Sequence, residues 1–421
     1  MEAHIEKEDT VVLKLFNTLG KRIETFRPAN EKVVNVFTCG PSVYQRSHIG
    51  NFRTFLFEDI LVRYLEYSGY TVRRGMNFTD IEDKALKEAK RRGRRVTHLT
   101  EENIKKFEEE MDLLKMKMPD YLPKASDAID QAAEIIERLL DLNVAYWYRG
   151  NVYFEPLKFP GFGELYGLDM AKWPAKKRRF HRDTYPGMRW NLGDFILWHG
   201  YRAGDTVCWD TRIGKGRPSW NIQDPSMIYK HFNETLSIYC GGFDNLFRHH
   251  DYTRAILESI RPYPMARYWL HCHHLQVDGQ KMSKSKGNIY YIDTLLEQGY
   301  GIHEIRFFLI YGHYREKLNY SDEDTRSAVD RLRKFRDMVY NIEKRAGHSV
   351  YLGGRVVQRL KQTFAEKMDN DLDVRGAFDE LYEGLSEIKV ETLEPGEGSG
   401  IISTLRGIDG VLSVIFEPQT S

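Results

Sequence analysis

The spacing of apolar positions changes period several times along the first ninety residues. Val33 to Thr38 (VVNVFT) is a short β-branched and aromatic run, which predicts a buried strand. From Arg53 to Tyr70 the residues Phe55, Ile60, Leu61, Tyr64 and Leu65 recur at helical spacing. Tyr70 to Asn77 predicts a second strand and Asp80 to Lys90 a second helix. Strand, helix, strand, helix predicts a doubly wound α/β fold with a parallel sheet and a ligand at the carboxyl ends of its strands. Glu101 to Leu142 reads as helices, and Tyr146 to Gly216 as an insertion of short strands and loops. Trp220 to Leu275 returns to α/β character. From Ser321 the pattern is helical, with breaks expected at Gly353–Gly354 and at the loop Glu394 to Gly400 (EPGEGSG).

The composition narrows the function. Of 421 residues, 41% are hydrophobic and 29% charged, which excludes a disordered chain. Lys and Arg number 62 against 61 Asp and Glu, so a wholesale basic footprint for nucleic acid is excluded. Three local basic stretches remain: Lys90 to Arg95, Lys176 to Arg182 and Arg331 to Arg336. With acids so plentiful, each reads as a solvated charged face. No apolar run reaches the ~18 residues needed to span a bilayer, and Met1 to Thr10 lacks the apolar core of a signal peptide. Cys39, Cys208, Cys240 and Cys272 lack CxxC spacing, and a reducing cytoplasm is the expected location.

Two strings carry chemistry. His48-Ile49-Gly50-Asn51 stands between the first strand and its helix. There Gly50 would let a nucleotide approach the backbone. The helix N-terminus would present N–H groups to phosphate, and His48 could donate to phosphoryl oxygens as charge builds. Lys281-Met282-Ser283-Lys284-Ser285-Lys286-Gly287-Asn288 is a lysine-rich loop ending in glycine. Its lysines are movable point charges suited to following a leaving pyrophosphate.

Together these strings resemble class I aminoacyl-tRNA synthetases, and specifically the cysteinyl-tRNA synthetases. The resemblance runs nearly end to end. It includes Leu15 to Leu19, Cys39-Gly40-Pro41-Ser42-Val43-Tyr44, Asn77 to Lys84, Gly214 to Pro218 with Trp220, and Gly241-Gly242 with Asp244. It continues through His249-His250, His313-Tyr314-Arg315, Leu318 to Ser321 and Met368 to Asp371. The resemblance implies a Rossmann-like catalytic domain in two halves, 1–145 and 217–320. A mixed insertion would occupy 146–216, and an α-helical bundle 321–421. It implies ATP with Mg²⁺, and an amino acid activated to its adenylate with release of pyrophosphate. His48, Asn51, Lys281 and Lys284 would be catalytic. Gly40, Gly50, Gly242, Asp244, Met282 and Ser283 would contact ATP, and Cys39, Thr79, Trp220, Asp224, His249 and Thr253 would surround the amino acid.

Two departures from the family follow. Its zinc ligands are two cysteines, a histidine and a glutamate, and these positions here read Cys39, Asp224, His249 and Thr253. Threonine is a poor neutral ligand and one thiolate is gone, so zinc is not expected and the preference for cysteine is in doubt. Asp224 could instead meet a hydroxyl or a cationic side chain. The second departure is length. The chain stops at Ser421, where the family adds an anticodon-binding domain. On that ground a small molecule or other non-tRNA amine is the expected acceptor. A tRNA charged through its acceptor stem is the alternative, and a non-catalytic regulatory role the third reading. No membrane partner is expected.

Overall fold

The computed structural model describes residues 12–172, 193–283, 286–347 and 351–417. A hairpin of β1 (Lys14–Asn17) and β2 (Arg22–Thr25) precedes β3 (Val34–Thr38), which is buried at every position. α1 (Ile49–Tyr67), β4 (Val72–Met76), α2 (Asp83–Arg91), α3 (Val96–Leu113) and α4 (Ile129–Asp141) follow. The insertion is an antiparallel sheet of β5 (Ala145–Tyr148), β6 (Asn151–Phe154), β7 (Phe195–Gly200) and β8 (Gly216–Pro218), in that order. The chain then returns through α5 (Trp220–His231), β9 (Leu236–Gly242), α6 (Tyr252–Ile260) and β10 (Ala266–Cys272). The central sheet is parallel throughout and ordered β10-β9-β3-β4. The chain builds to one side of β3 first and to the other side later. That reversal opens a crevice beyond the carboxyl ends of β3 and β9, where ligands of open α/β sheets bind.

β11 (Leu275–Val277) and β12 (Gln280–Lys281) lead to α7 (Ile292–Glu297), α8 (Ile302–Ile310) and β13 (Leu318–Tyr320). A small sheet ordered β12-β11-β13 holds this segment together. α9 (Asp322–Glu343), α10 (Arg355–Asp369), α11 (Val374–Ser386) and α12 (Pro395–Leu412) form the bundle. One continuous apolar core joins α1 to the bundle, from Phe52, Leu56 and Ile60 through Leu309 and Phe335 to Leu405 and Ile408.

α1 is apolar around most of its circumference because it lies inside the molecule. Its few buried charges are satisfied, Arg53 by backbone carbonyls and Glu58 and Asp59 by arginines. Arg53 Nη1 donates to Leu309 O at 2.6 Å, Arg74 meets Glu58 at 3.1 Å, and Arg306 meets Asp59 at 2.6 Å. Unpaired, each would cost several kcal/mol, of the order expected for a broken buried pair.

One expectation is overturned. Glu394 to Gly400 is not a loop, because Pro395 opens α12 at its first position. Glu397 Oε2 accepts from Glu394 N–H at 3.4 Å. The glycines serve packing: a Cβ on Gly400 would stand 2.0 Å from Tyr351 O. A glycine cluster normally breaks a helix, and here close backbone contact and burial outweigh propensity.

Candidate active site

His48 stands at the N-cap of α1. Its Nδ1 accepts from Asn51 N–H at 3.3 Å, while Asn51 Oδ1 accepts from His48 N–H at 3.1 Å. With Nδ1 committed as acceptor, the ring proton of the neutral imidazole sits on Nε2, so the other end of the ring is a donor. With Asn51 Oδ1 held by backbone, its Nδ2 is the end that a ligand would meet. A Cβ on Gly50 would lie 3.0 Å from His48 Nδ1 and 3.7 Å from Met282 Sδ. A side chain at this position would press on the His48 ring.

The cleft at the end of the sheet is lined by Cys39, Gly40, Tyr44, His48, Asn51, Thr54, Thr79, Lys84, Trp220, Gly242, Asp244 and His249, among others. Gly40 is packed tightly: its N–H donates to Asn77 Oδ1 at 2.9 Å, and a Cβ there would fall 1.9 Å from Asn77 O. Sequence reasoning missed Tyr44, Thr54 and Lys84 as members of the site. The ammonium of Lys84 lies 5.3 Å from the Tyr44 ring, and burial lowers its pKa. Its signal was present, since Lys84 closes the Asn77–Lys84 string and α2 carries it back to the cleft.

The second wall is built by an irregular turn. Leu246–Asp251 forms a π-helical turn between β9 and α6, and it carries His249. Such widened turns recur at functional sites, and no sequence pattern announces one. The His249 ring stacks on Trp220, with centroids 4.2 Å apart and planes within 4°. His249 Nε2 lies 2.9 Å from Asp224 Oδ2. Asp224 is fully buried, and also accepts from Asn77 Nδ2 at 3.1 Å and from Tyr239 OH at 3.0 Å. Asp224 and Thr253 were expected around the amino acid, but neither lines the cleft. Asp224 backs His249, and Thr253 Oγ1 donates to His249 O at 2.8 Å. Trp220 and Asp224 are four apart and share one face of α5, and both meet the His249 ring; Asp224 lies behind that ring rather than in the cleft.

Cys39, Asp224 and His249 do converge, with one potential ligand atom of each within 4.8 Å of the others. The set nonetheless fits zinc poorly. The fourth position, Thr253, spends its hydroxyl on a backbone carbonyl. Both Asp224 oxygens are engaged by protein donors. Burial first, and the nearby Asp224 charge second, push the Cys39 thiol well above its ordinary pKa.

The lysine-rich loop begins on β12, where Lys281 is exposed. Met282 is buried against the α1 N-terminus, and Ser283 N–H donates to Asn288 Oδ1 at 2.8 Å. Lys284 lies outside the described residues, as does the basic stretch Lys176 to Arg182. The Arg331 to Arg336 stretch is largely ion-paired. Arg331 meets Asp379 at 2.8 Å, Arg333 meets Glu304 at 2.6 Å, and Arg336 meets Glu417. In Lys90 to Arg95, Arg91 and Arg92 both meet Glu88, and Arg94 meets Glu102.

Residues 25–330 match the family model of the class I (C) tRNA synthetase catalytic domain. The chain belongs to that family. This class I (C) synthetase is thereby an ATP-dependent ligase with a Rossmann-like nucleotide-binding fold. It is 36% identical over 422 residues to a cysteine–tRNA ligase of Chlamydia muridarum, covering 96% of this chain and 88% of that one. It is 35% identical over 418 residues to a cysteine–tRNA ligase of Koribacter versatilis, covering 97% and 83%. Its fold is similar to that of Mycobacterium tuberculosis methionyl-tRNA synthetase in complex with methionyl-adenylate. That match has a TM-score of 0.65 and 15% identity, with 91% and 92% coverage. A LeuRS–tRNA–LeuAMS complex from Agrobacterium radiobacter K84 matches with a TM-score of 0.65 and 11% identity, covering 93% and 85%. None of the helices described in this synthetase is long and apolar enough to cross a membrane.

Proposed function

We propose that the chain activates a small amino acid with ATP and transfers it to tRNA. The observation that carries the first step is the pinned His48 ring, whose donor end borders a cleft at the carboxyl ends of β3 and β9. ATP enters as its magnesium complex. The amino-acid carboxylate attacks the α-phosphorus in line, the bond to the β-phosphate oxygen breaks, and pyrophosphate leaves. His48 Nε2–H and Asn51 Nδ2 donate to phosphoryl oxygens, and Lys281 and Lys284 neutralise the leaving pyrophosphate. Catalysis is then positioning plus stabilisation of developing charge. Gly40, Gly50 and Gly242 keep the floor of the cleft low. Asp244, Met282 and Ser283 flank the nucleotide, and Thr79, Trp220, Cys39 and His249 enclose the amino acid.

For the acceptor, the relatives favour tRNA over a small amine. The chain matches cysteine–tRNA ligases over 83–88% of their length, whereas a non-tRNA acceptor rested only on the position of Ser421. Arg331, Arg333 and Arg336 form surface ion pairs that an RNA phosphate would have to exchange, at a cost of ~1 kcal/mol or less each. One candidate for RNA contact is the groove between α2 and the β7–β8 connection, lined by Lys87, Lys90, Arg94, Arg95 and Arg217.

ATP–pyrophosphate exchange across a panel of amino acids, followed by charging of total tRNA, tests both halves. Exchange with one or two small amino acids, and charging that weakens steeply with salt, are expected. Absence of exchange with every amino acid would sink the activation step. Exchange without charging of any tRNA would reinstate the amine acceptor.

A further inference from the structure

We infer that His249 reads the substrate side chain directly, as a metal-free hydrogen-bond acceptor whose tautomer is fixed by Asp224. The amino acid it selects carries a small hydroxyl or thiol. This deepens the adenylation reading above and rests on it.

The inference begins with saturation. Three donors converge on the Asp224 carboxylate: Asn77 Nδ2, Tyr239 OH and His249 Nε2, at 3.1, 3.0 and 2.9 Å. A carboxylate only accepts, so Nε2 carries the ring proton and Nδ1 of the neutral ring holds a lone pair. Nδ1 is buried and has no hydrogen-bond partner among the described residues. His249 is only 1% exposed, yet it lines the cleft. Its ring is held by stacking on Trp220, and its backbone carbonyl by Thr253. A buried acceptor without a partner is costly, and a donor brought by a ligand relieves that cost. A pre-aimed acceptor of this kind rejects an analogue that lacks the donor more strongly than an apolar pocket rejects an added methyl.

The neighbours limit the ligand. Cys39 Sγ approaches Gly40 O and Asn245 Nδ2 only at 4.0 and 3.8 Å, so it adds a soft, weakly bonded surface beside the ring. Asp224 offers a substrate ammonium no free oxygen, since three donors already hold its carboxylate. A hydroxyl or thiol one carbon from Cα satisfies Nδ1 without bringing charge.

The experiment compares L-serine, L-cysteine and L-2-aminobutyrate in ATP–pyrophosphate exchange. The last replaces the donor by a methyl group. The wild-type protein is expected to favour serine or cysteine over 2-aminobutyrate by about 10²-fold or more, and the two arms decide between hydroxyl and thiol. His249→Phe keeps the aromatic stack but loses the lone pair. It is expected to shrink that preference to about fivefold or less, with KM for ATP unchanged. A preference that survives His249→Phe, or an equal loss on all three amino acids, would overturn the inference. So would one tightly held zinc per chain whose removal abolishes the preference. A second measurement needs neither turnover nor that variant. Imidazole ¹⁵N spectra of the wild-type protein should contain a ring in the neutral Nε2–H form that Asp224→Asn alters. A ring in the Nδ1–H form at that position would overturn the assignment. If no amino acid supports exchange, the adenylation reading fails, and the spectra still decide the state of His249.

Discussion

His48 and His249 border the same cleft and are used in opposite senses. At His48 a backbone N–H occupies Nδ1 and leaves Nε2–H as a donor. At His249 a carboxylate occupies Nε2 and leaves Nδ1 as an acceptor. A phosphate needs the first and a hydroxyl or thiol the second. The residue type does not set the role; the partner of the other nitrogen does. The frames differ as well. His48 is held by a local helix cap within four residues of sequence, His249 by a buried network drawn from Asn77, Asp224 and Tyr239.

The predictions probe that contrast, from the largest effect downward. His48→Ala is expected to lower the exchange rate by 10²–10³-fold, since a preorganised donor facing a developing anion is worth about 3 kcal/mol. Lys281→Ala should fall near 10²-fold by the same argument, and wild-type exchange in either variant would remove that residue from the mechanism. Asp224→Ala acts on the other frame. It strands Asn77, Tyr239 and His249 in the core, and should destabilise the fold by about 3 kcal/mol. A clearly lower urea midpoint checks it, and an unchanged midpoint would mean that the network is loose. Gly50→Ala separates activity from stability. The added methyl presses on His48 Nδ1 at 3.0 Å, so exchange should drop about tenfold. Helix propensity meanwhile favours alanine by up to about 1 kcal/mol, so the urea midpoint should hold or rise. Arg331→Ala tests a surface pair far from either frame, and should shift stability by no more than about 0.5 kcal/mol.

Much of the scaffold was legible. Val34–Thr38, Val72–Met76 and Ile49–Tyr67 lie close to where the β-branched run, the second strand and the helical spacing were read, and Val34–Thr38 is buried at every position. α1 begins four residues earlier than the spacing suggested, since His48 and Asn51 supply the cap through side chains that carry no hydrophobic signal. EPGEGSG misled because glycine has two uses, and only the close approach of Tyr351 O to Gly400 separates them. Of the residues expected around the amino acid, Cys39, Thr79, Trp220 and His249 line the cleft. Asp224 and Thr253 do not, because motif spacing names the residues that gather at one place but not how deep each lies. The position of Asp224 behind the His249 ring and the widened turn at Leu246–Asp251 are properties of tertiary packing.

The burial of α1 also has a mechanical side. The helix is 19 residues long, or ~28 Å. It is a stiff rod with His48 at one tip and the bundle gripping its shaft. Arg306 clamps Asp59 and at the same time donates to Leu412 O and Leu114 O, while Arg63 reaches Gly410 O. Torque on α12 therefore has no slack to dissipate in. It must either break these bonds or turn the rod, and turning the rod moves His48 within the cleft.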